Sequence, residues 1–177
     1  MIKSINDIDS ITKLLDIIGY LTPNILFILS CYLLWSKPFL LVYYFVGFFI
    51  NVILNIILKV VLKQPRPSED IRLFNIAINN GKRMKYDIYG MPSGHAQTSF
   101  YSLIFIYLVF KNNYLSLFYF ILSLLTLYQR VKYKNHTLNQ VIVGSIVGLI
   151  VGYFIFYLSS KKITGKLRSK KDDNALS

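Results

Sequence analysis

Two histidines, His95 and His136, stand in a chain of 177 residues, and each is flanked by residues that handle anions. His95 closes the run Pro92-Ser93-Gly94-His95. Proline suits a first helical turn, and Gly94 lets an anion approach the backbone. The unpaired amides of such a helix start, at the positive end of its dipole, make a phosphate site. His136 follows Arg130, and Gln140 lies one turn further on, at i and i+4 on one helix face. The Gln140 oxygen could accept from one ring nitrogen of His136, fix its tautomer and aim the other nitrogen outward. Asn135 is placed to cap that helix. A third group precedes both: Lys59 near the end of an apolar run, then Pro65-Arg66-Pro67, where two prolines stop the helix and hold Arg66 extended.

Each piece has a plainer reading by itself. Lys59 could snorkel to an interface, Pro-Ser-Gly-His could be a helix start and no more, and His136 could be a cap. Together they suit a phosphoryl group. Arginine gives bidentate contact with phosphate and lysine a point charge. One imidazole could attack phosphorus while the other protonates the leaving oxygen. No carboxylate cluster accompanies them to hold magnesium, so chemistry without a metal or cofactor is expected. The single cysteine, Cys31, excludes an internal disulfide and a cysteine zinc site.

The elements that must carry these residues are apolar helices. The chain is 54% hydrophobic and 16% charged, against about 45–50% and about 25% in soluble domains. A bilayer core needs about 20 apolar residues of helix. Runs over 17–35, 39–62, 94–110, 114–131 and 137–159 meet that need. The spacing therefore predicts an all-α, polytopic membrane bundle of five transmembrane helices. Ile8, Ile11, Leu15 and Ile18 recur at helical spacing and suggest an N-terminal interfacial helix before the first span. Asp7, Asp9 and Asp16 stand where a signal peptide would be basic, so no cleavable leader is expected. Residues 1–160 read as the membrane-embedded domain, and 161–177 as a basic, disordered cytoplasmic tail.

The net charge of +12 fits acidic lipid or phosphate esters. Nucleic acid is not the expected partner, because the cations sit between long apolar runs. Five spans bring Lys59, Arg66, His95, Arg130 and His136 to one membrane face, but cations fall on both faces, so charge bias does not set the orientation. Gly144, Gly148 and Gly152 form a small-residue stripe that would serve close packing within the bundle or a homodimer face.

The quoted motifs resemble those of the type 2 phosphatidic acid phosphatase superfamily, whose pattern is Lys-x6-Arg-Pro, Pro-Ser-Gly-His and Ser-Arg-x5-His-x3-Asp. Lys59 to Pro67 and Pro92 to His95 match in full, and Arg130 with His136 matches the core of the third motif. The resemblance implies a membrane lipid phosphatase. His136 would be the nucleophile that forms a phosphohistidine and His95 the general acid. Lys59, Arg66, Ser93, Gly94 and Arg130 would bind the phosphate. Gln129 and Gln140 replace the family's serine and aspartate. A neutral amide can orient His136 without stabilising its positive charge, so Gln140→Ala is expected to lower turnover and Gln140→Asp to keep it.

Tyr89-Gly90-Met91-Pro92-Ser93 and His136-Thr137-x2-Gln140-Val141-x2-Gly144 are similar to dolichyl-diphosphatases, which carry a glutamine at this place. That branch implies hydrolysis of a polyprenyl diphosphate, dolichyl diphosphate, to the monophosphate and phosphate. It also implies a role in lipid metabolism and N-glycosylation, in the endoplasmic reticulum membrane with the active site lumenal. The alternatives are a phosphatase of phosphatidic acid or another lipid monophosphate, and a catalytically silent membrane scaffold or lipid-binding protein.

Overall fold

A computed structural model describes the backbone of residues 2–67 and 71–175 and the side chains of 11–67 and 75–163. Among the described residues there are six helices, one 3-10 turn and no strand: α1 (Ile2–Leu33), α2 (Pro38–Leu62), α3 (Ile71–Asn79), the 3-10 turn (Lys85–Ile88), α4 (Gly94–Phe110), α5 (Asn113–Lys132) and α6 (Leu138–Ala175). Four segments are long and apolar enough to cross a membrane: Ile11–Leu33, Pro38–Leu62, Asn113–Lys132 and Leu138–Ile163. The chain is a multi-pass membrane helical bundle. The fifth expected span, α4, has 17 residues and so reaches about 25 Å, the lower limit for a crossing. It is the inner helix, packed against α1, α2, α5 and α6.

The helix ends are written in local chemistry. Pro38 opens α2, and Lys63 closes it in the left-handed region at φ 49°. Asn112 caps α5 by accepting from the Leu115 amide at 3.0 Å. The start of α6 differs from expectation. Its cap is Thr137, whose hydroxyl accepts from the Gln140 amide at 3.3 Å, while Gln140 Oε1 accepts from the Thr137 amide at 3.2 Å. This is a Thr-x-x-Gln capping box, and Asn135 turns instead to the Tyr133 carbonyl. Two further differences lie at the chain ends. The expected interfacial helix is continuous with the first span in α1, although the Ile8 side chain lies outside the described residues. The backbone of α6 continues helical through the tail to Ala175.

The glycine stripe of α6 faces α4. A Cβ on Gly144 would lie 2.5 Å from the Ser93 carbonyl oxygen, and one on Gly152 would lie 2.8 Å from that of Tyr101. Gly148 approaches the Gln97 carbonyl just as closely. The stripe is therefore an internal helix contact and not a homodimer face; backbones this close leave no room for a partner. At the end remote from the histidines, Tyr44, Tyr101, Phe105 and Tyr119 form a buried aromatic core. The tyrosine hydroxyls are paired, as a membrane interior requires: Tyr101 donates to the Tyr44 carbonyl at 2.7 Å, Tyr44 meets Ser102 at 2.8 Å, and Tyr119 meets Ser30 at 3.1 Å. Between this core and the histidines an amide chain joins α2 to α4. Asn55 Nδ2 donates to Gln97 Oε1 at 2.8 Å and to the Pro92 carbonyl at 3.2 Å, and Gln97 Nε2 donates to Asn51 Oδ1 at 2.9 Å. Asn51 and Asn55 thus fix the height of the α4 start relative to Lys59.

Candidate active site

Short-range structure first fixes the two loops. The Gly90 amide donates to the Gln64 carbonyl at 2.7 Å, and Pro65 bridges to Tyr89. This pins the segment after α2 to the segment before α4. Lys59 Nζ, in the last turn of α2, donates to the Tyr89 carbonyl at 2.8 Å. Arg66 is held on three sides. Its Nε donates to the Asp87 carbonyl at 2.7 Å, Nη1 to the Asn135 carbonyl at 3.0 Å, and Nη2 pairs with Asp87 Oδ1 at 3.4 Å.

The ring of His136 sits between these loops. Nδ1 lies 2.8 Å from the Gly90 carbonyl and 3.3 Å from Gln140 Oε1, both acceptors, so this nitrogen carries the proton. Nε2 then holds a lone pair, and Arg66 Nη1 donates to it at 3.1 Å. Burial, then the charges of Arg66, Arg130 and Lys59, hold the His136 pKa far below the usual histidine range, so the ring is neutral. Burial also lowers the Arg66 pKa, against the opposing charge of Asp87. The orienting carbonyl of Gly90 has no sequence signature of its own. Glycine is required there by space, because a Cβ would lie 2.7 Å from the Gln140 amide carbon.

Gln140 does more than orient the histidine. Its Nε2 donates to the Pro65 carbonyl at 2.9 Å and to Gln64 Oε1 at 3.1 Å, so the side chain ties the α6 start to the Arg66 segment. Both halves of the amide are used. An aspartate could supply only the accepting half.

A cleft of about 730 Å³ opens beside these groups, lined by Lys59, Arg66, Gly94, His95, Arg130 and His136 among others. Six of the eight residues singled out from sequence thus meet in one cavity. Ser93 and Gln140 lie behind it: the Ser93 amide donates to the Gln140 carbonyl at 3.0 Å, and the Ser93 hydroxyl is buried with no hydrogen-bond partner among the described residues. Arg130 Nε is likewise buried and unpartnered. A buried donor left so is costly, and an anion in the cleft would relieve it. His95 is held by ring contact with Tyr20 of α1, centroids 5.5 Å apart, and Tyr20 also lies 5.9 Å from the Arg130 guanidinium. Tyr20, Asp87, Lys82 and Arg83 line the same cleft and escape motif reasoning. Gln129 also lines it, at the position of the family's serine. Among the described residues, no three His, Cys, Asp or Glu side chains gather as a metal site would need.

This arrangement offers a neutral, oriented imidazole, a second imidazole, three cations and a helix N-terminus around one space. Such a set can bind a phosphoryl group and accept it on nitrogen. Comparison with known proteins agrees with the motifs. A lipid A 4'-phosphatase of Bacteroides thetaiotaomicron is 32% identical over 94 residues, a stretch that covers 53% of this chain and 40% of that protein. The chain thus spans well under half of that relative's length. No solved structure matches significantly. The profile of the PAP2 superfamily matches residues 40–164, from α2 into α6 and across every motif described above, and the chain belongs to that superfamily.

Proposed function

We propose that the protein is a lipid phosphatase that hydrolyses a polyprenyl diphosphate, dolichyl diphosphate in the first place, through a phosphohistidine. The observation that carries this reading is the neutral His136 with Nε2 turned into the cleft that His95 shares with Lys59, Arg66 and Arg130. An arriving phosphate takes the Arg66 Nη1 donor from Nε2, which frees the lone pair. Nε2 then attacks the terminal phosphorus, the bond to the bridging oxygen breaks, and His95 supplies a proton to that oxygen. Lipid monophosphate leaves. Water next attacks the phosphohistidine, gives a proton to His95, and the nitrogen–phosphorus bond breaks to release inorganic phosphate. Lys59, Arg66 and Arg130 hold the equatorial oxygens throughout. Every step uses side chains and water alone, so activity should persist in a metal chelator.

With dolichyl diphosphate as substrate, the protein would sit in the endoplasmic reticulum membrane with the cleft lumenal. The other end of α6, at the opposite face, would then be cytoplasmic. A second reading is favoured by the relative named for lipid A: the same chemistry on a lipid phosphate monoester. Purified protein given dolichyl diphosphate, phosphatidic acid and lipid A in turn separates the two. Fastest phosphate release from the diphosphate, lost by at least about 10³-fold in His136→Ala, is expected. Release from phosphatidic acid or lipid A alone would move the substrate to that class, and no release from any would leave a silent scaffold.

A further inference from the structure

The two imidazoles of the cleft are held by different means. Hydrogen bonds on both nitrogens fix the ring of His136. The ring of His95 makes no hydrogen bond to another described residue, and what meets it is the ring of Tyr20, with centroids 5.5 Å apart and planes tilted by 38°. The Arg130 guanidinium lies 5.9 Å from the centre of the same ring. Tyr20 comes from α1, ahead of the stretch 40–164 that the superfamily profile matches. Its place is built from both sides. One turn earlier, Asp16 pairs with Lys132 of α5 at 2.7 Å. At the neighbouring Gly19, α1 comes so near to α5 that a Cβ would lie 2.9 Å from the Leu125 carbonyl oxygen, and the Thr126 hydroxyl donates to the Gly19 carbonyl at 2.9 Å. These contacts seat α1 on the end of α5 that carries Arg130. Tyr20 is 51% exposed, so its ring is not there to fill the interior of the bundle.

We propose that Tyr20 is a positioning residue for the reaction: its ring holds the His95 imidazole at the angle from which it gives its proton to the leaving oxygen. This rests on the phosphatase reading above, with His95 as the acid, and adds α1 to the elements that build the site. A general acid delivers its proton only within hydrogen-bond reach of the oxygen, and a ring free to swing about its side-chain bonds spends less time there. The hold comes from the aromatic ring and not from the hydroxyl. Phenylalanine can therefore stand in for Tyr20, and leucine, apolar but without a ring, cannot.

The test is a double-mutant cycle on the full-length protein. Release of radiolabelled phosphate is measured with farnesyl diphosphate or phosphatidic acid, whichever the wild type cleaves faster, for Tyr20→Phe, Tyr20→Leu, His95→Ala and Tyr20→Leu/His95→Ala. Tyr20→Leu should lower kcat about tenfold with KM within about twofold of wild type, and Tyr20→Phe should restore both. On the His95→Ala background Tyr20→Leu should cost nothing more, because the group it positions is gone. The same tenfold loss on that background would overturn the proposal and leave the phosphatase reading standing. So would Tyr20→Leu equal to wild type, or a loss in Tyr20→Phe as deep as in Tyr20→Leu. Melts in detergent form a second measurement. Tyr20→Leu should melt with the wild type, and failure to fold or a Tm well below it would assign the ring to the fold and overturn the positioning role. His95→Ala as active as wild type would overturn it too, by removing the acid. No release from either lipid by the wild type would overturn this proposal and the phosphatase reading together.

Discussion

At the scale of single residues, the balance at His136 differs from the one its motif suggests. The ring is oriented chiefly by a backbone carbonyl, Gly90 at 2.8 Å, with the Gln140 oxygen further off at 3.3 Å. Gln140 spends its donor on Pro65 and Gln64 and its acceptor on the helix start. The expectation that Gln140→Asp keeps turnover therefore changes sign. A carboxylate would be one carbon shorter, would donate nothing, and would face two acceptor oxygens. Each lost buried bond of this kind costs about 1–3 kcal/mol. Gln140→Asp is expected to lower both Tm and kcat, the latter by about tenfold or more, whereas an outcome equal to wild type would return the family's carboxylate role to this position. Thermal melts and phosphate release on the same preparation decide it.

At the scale of elements, the stripe on α6 gives the sharpest test. Gly148→Leu would drive a side chain into the α4 backbone beside Gln97. The expected result is a Tm lowered by several degrees, or failure to fold, with no change of oligomeric state in the protein that survives, since overpacking costs about 1–3 kcal/mol. A dimer in wild type that this change dissolves would restore the stripe as a homodimer face. Much at this scale was legible. Period and length set the helices, and the bounds of α4 coincide with the run 94–110 because Ser93 and Lys111 end it on both sides. The Thr137-x-x-Gln140 box was legible too, but the motif reading of Gln140 hid it. Tyr20, Asp87 and Gly90 could not be read out. They act through ring faces, loop pairing and a main-chain carbonyl, none of which leaves a spacing in the sequence. The α3 helix inside the 63–93 connection was likewise not anticipated, since it is short and lies among polar residues.

At the scale of the whole molecule, keeping a neutral histidine among cations ties the fold to pH. The folded His136 has its pKa pushed far down, while the unfolded one titrates near the ordinary value of about 6.5. Below that value the unfolded chain binds a proton that the folded chain refuses. The contribution of His136 is complete above about pH 6.5 and is lost as pH falls below it, at up to about 1.4 kcal/mol per pH unit. Tm measured in detergent from pH 7.5 to pH 5 should therefore fall, and fall less steeply in His136→Gln, which cannot take up the proton. Equal slopes would mean that the ring is not kept neutral in the fold.

The guanidinium of Arg66 resting on His136 Nε2 has a chemical consequence of its own. With no substrate present, the Nε2 lone pair of His136 is corked. Acylating reagents such as diethyl pyrocarbonate should label the His136 peptide slowly in the resting protein, and several-fold faster once Arg66→Ala removes the stopper. The protein would thus be shielded from stray electrophiles until an anion of the right charge pulls the plug.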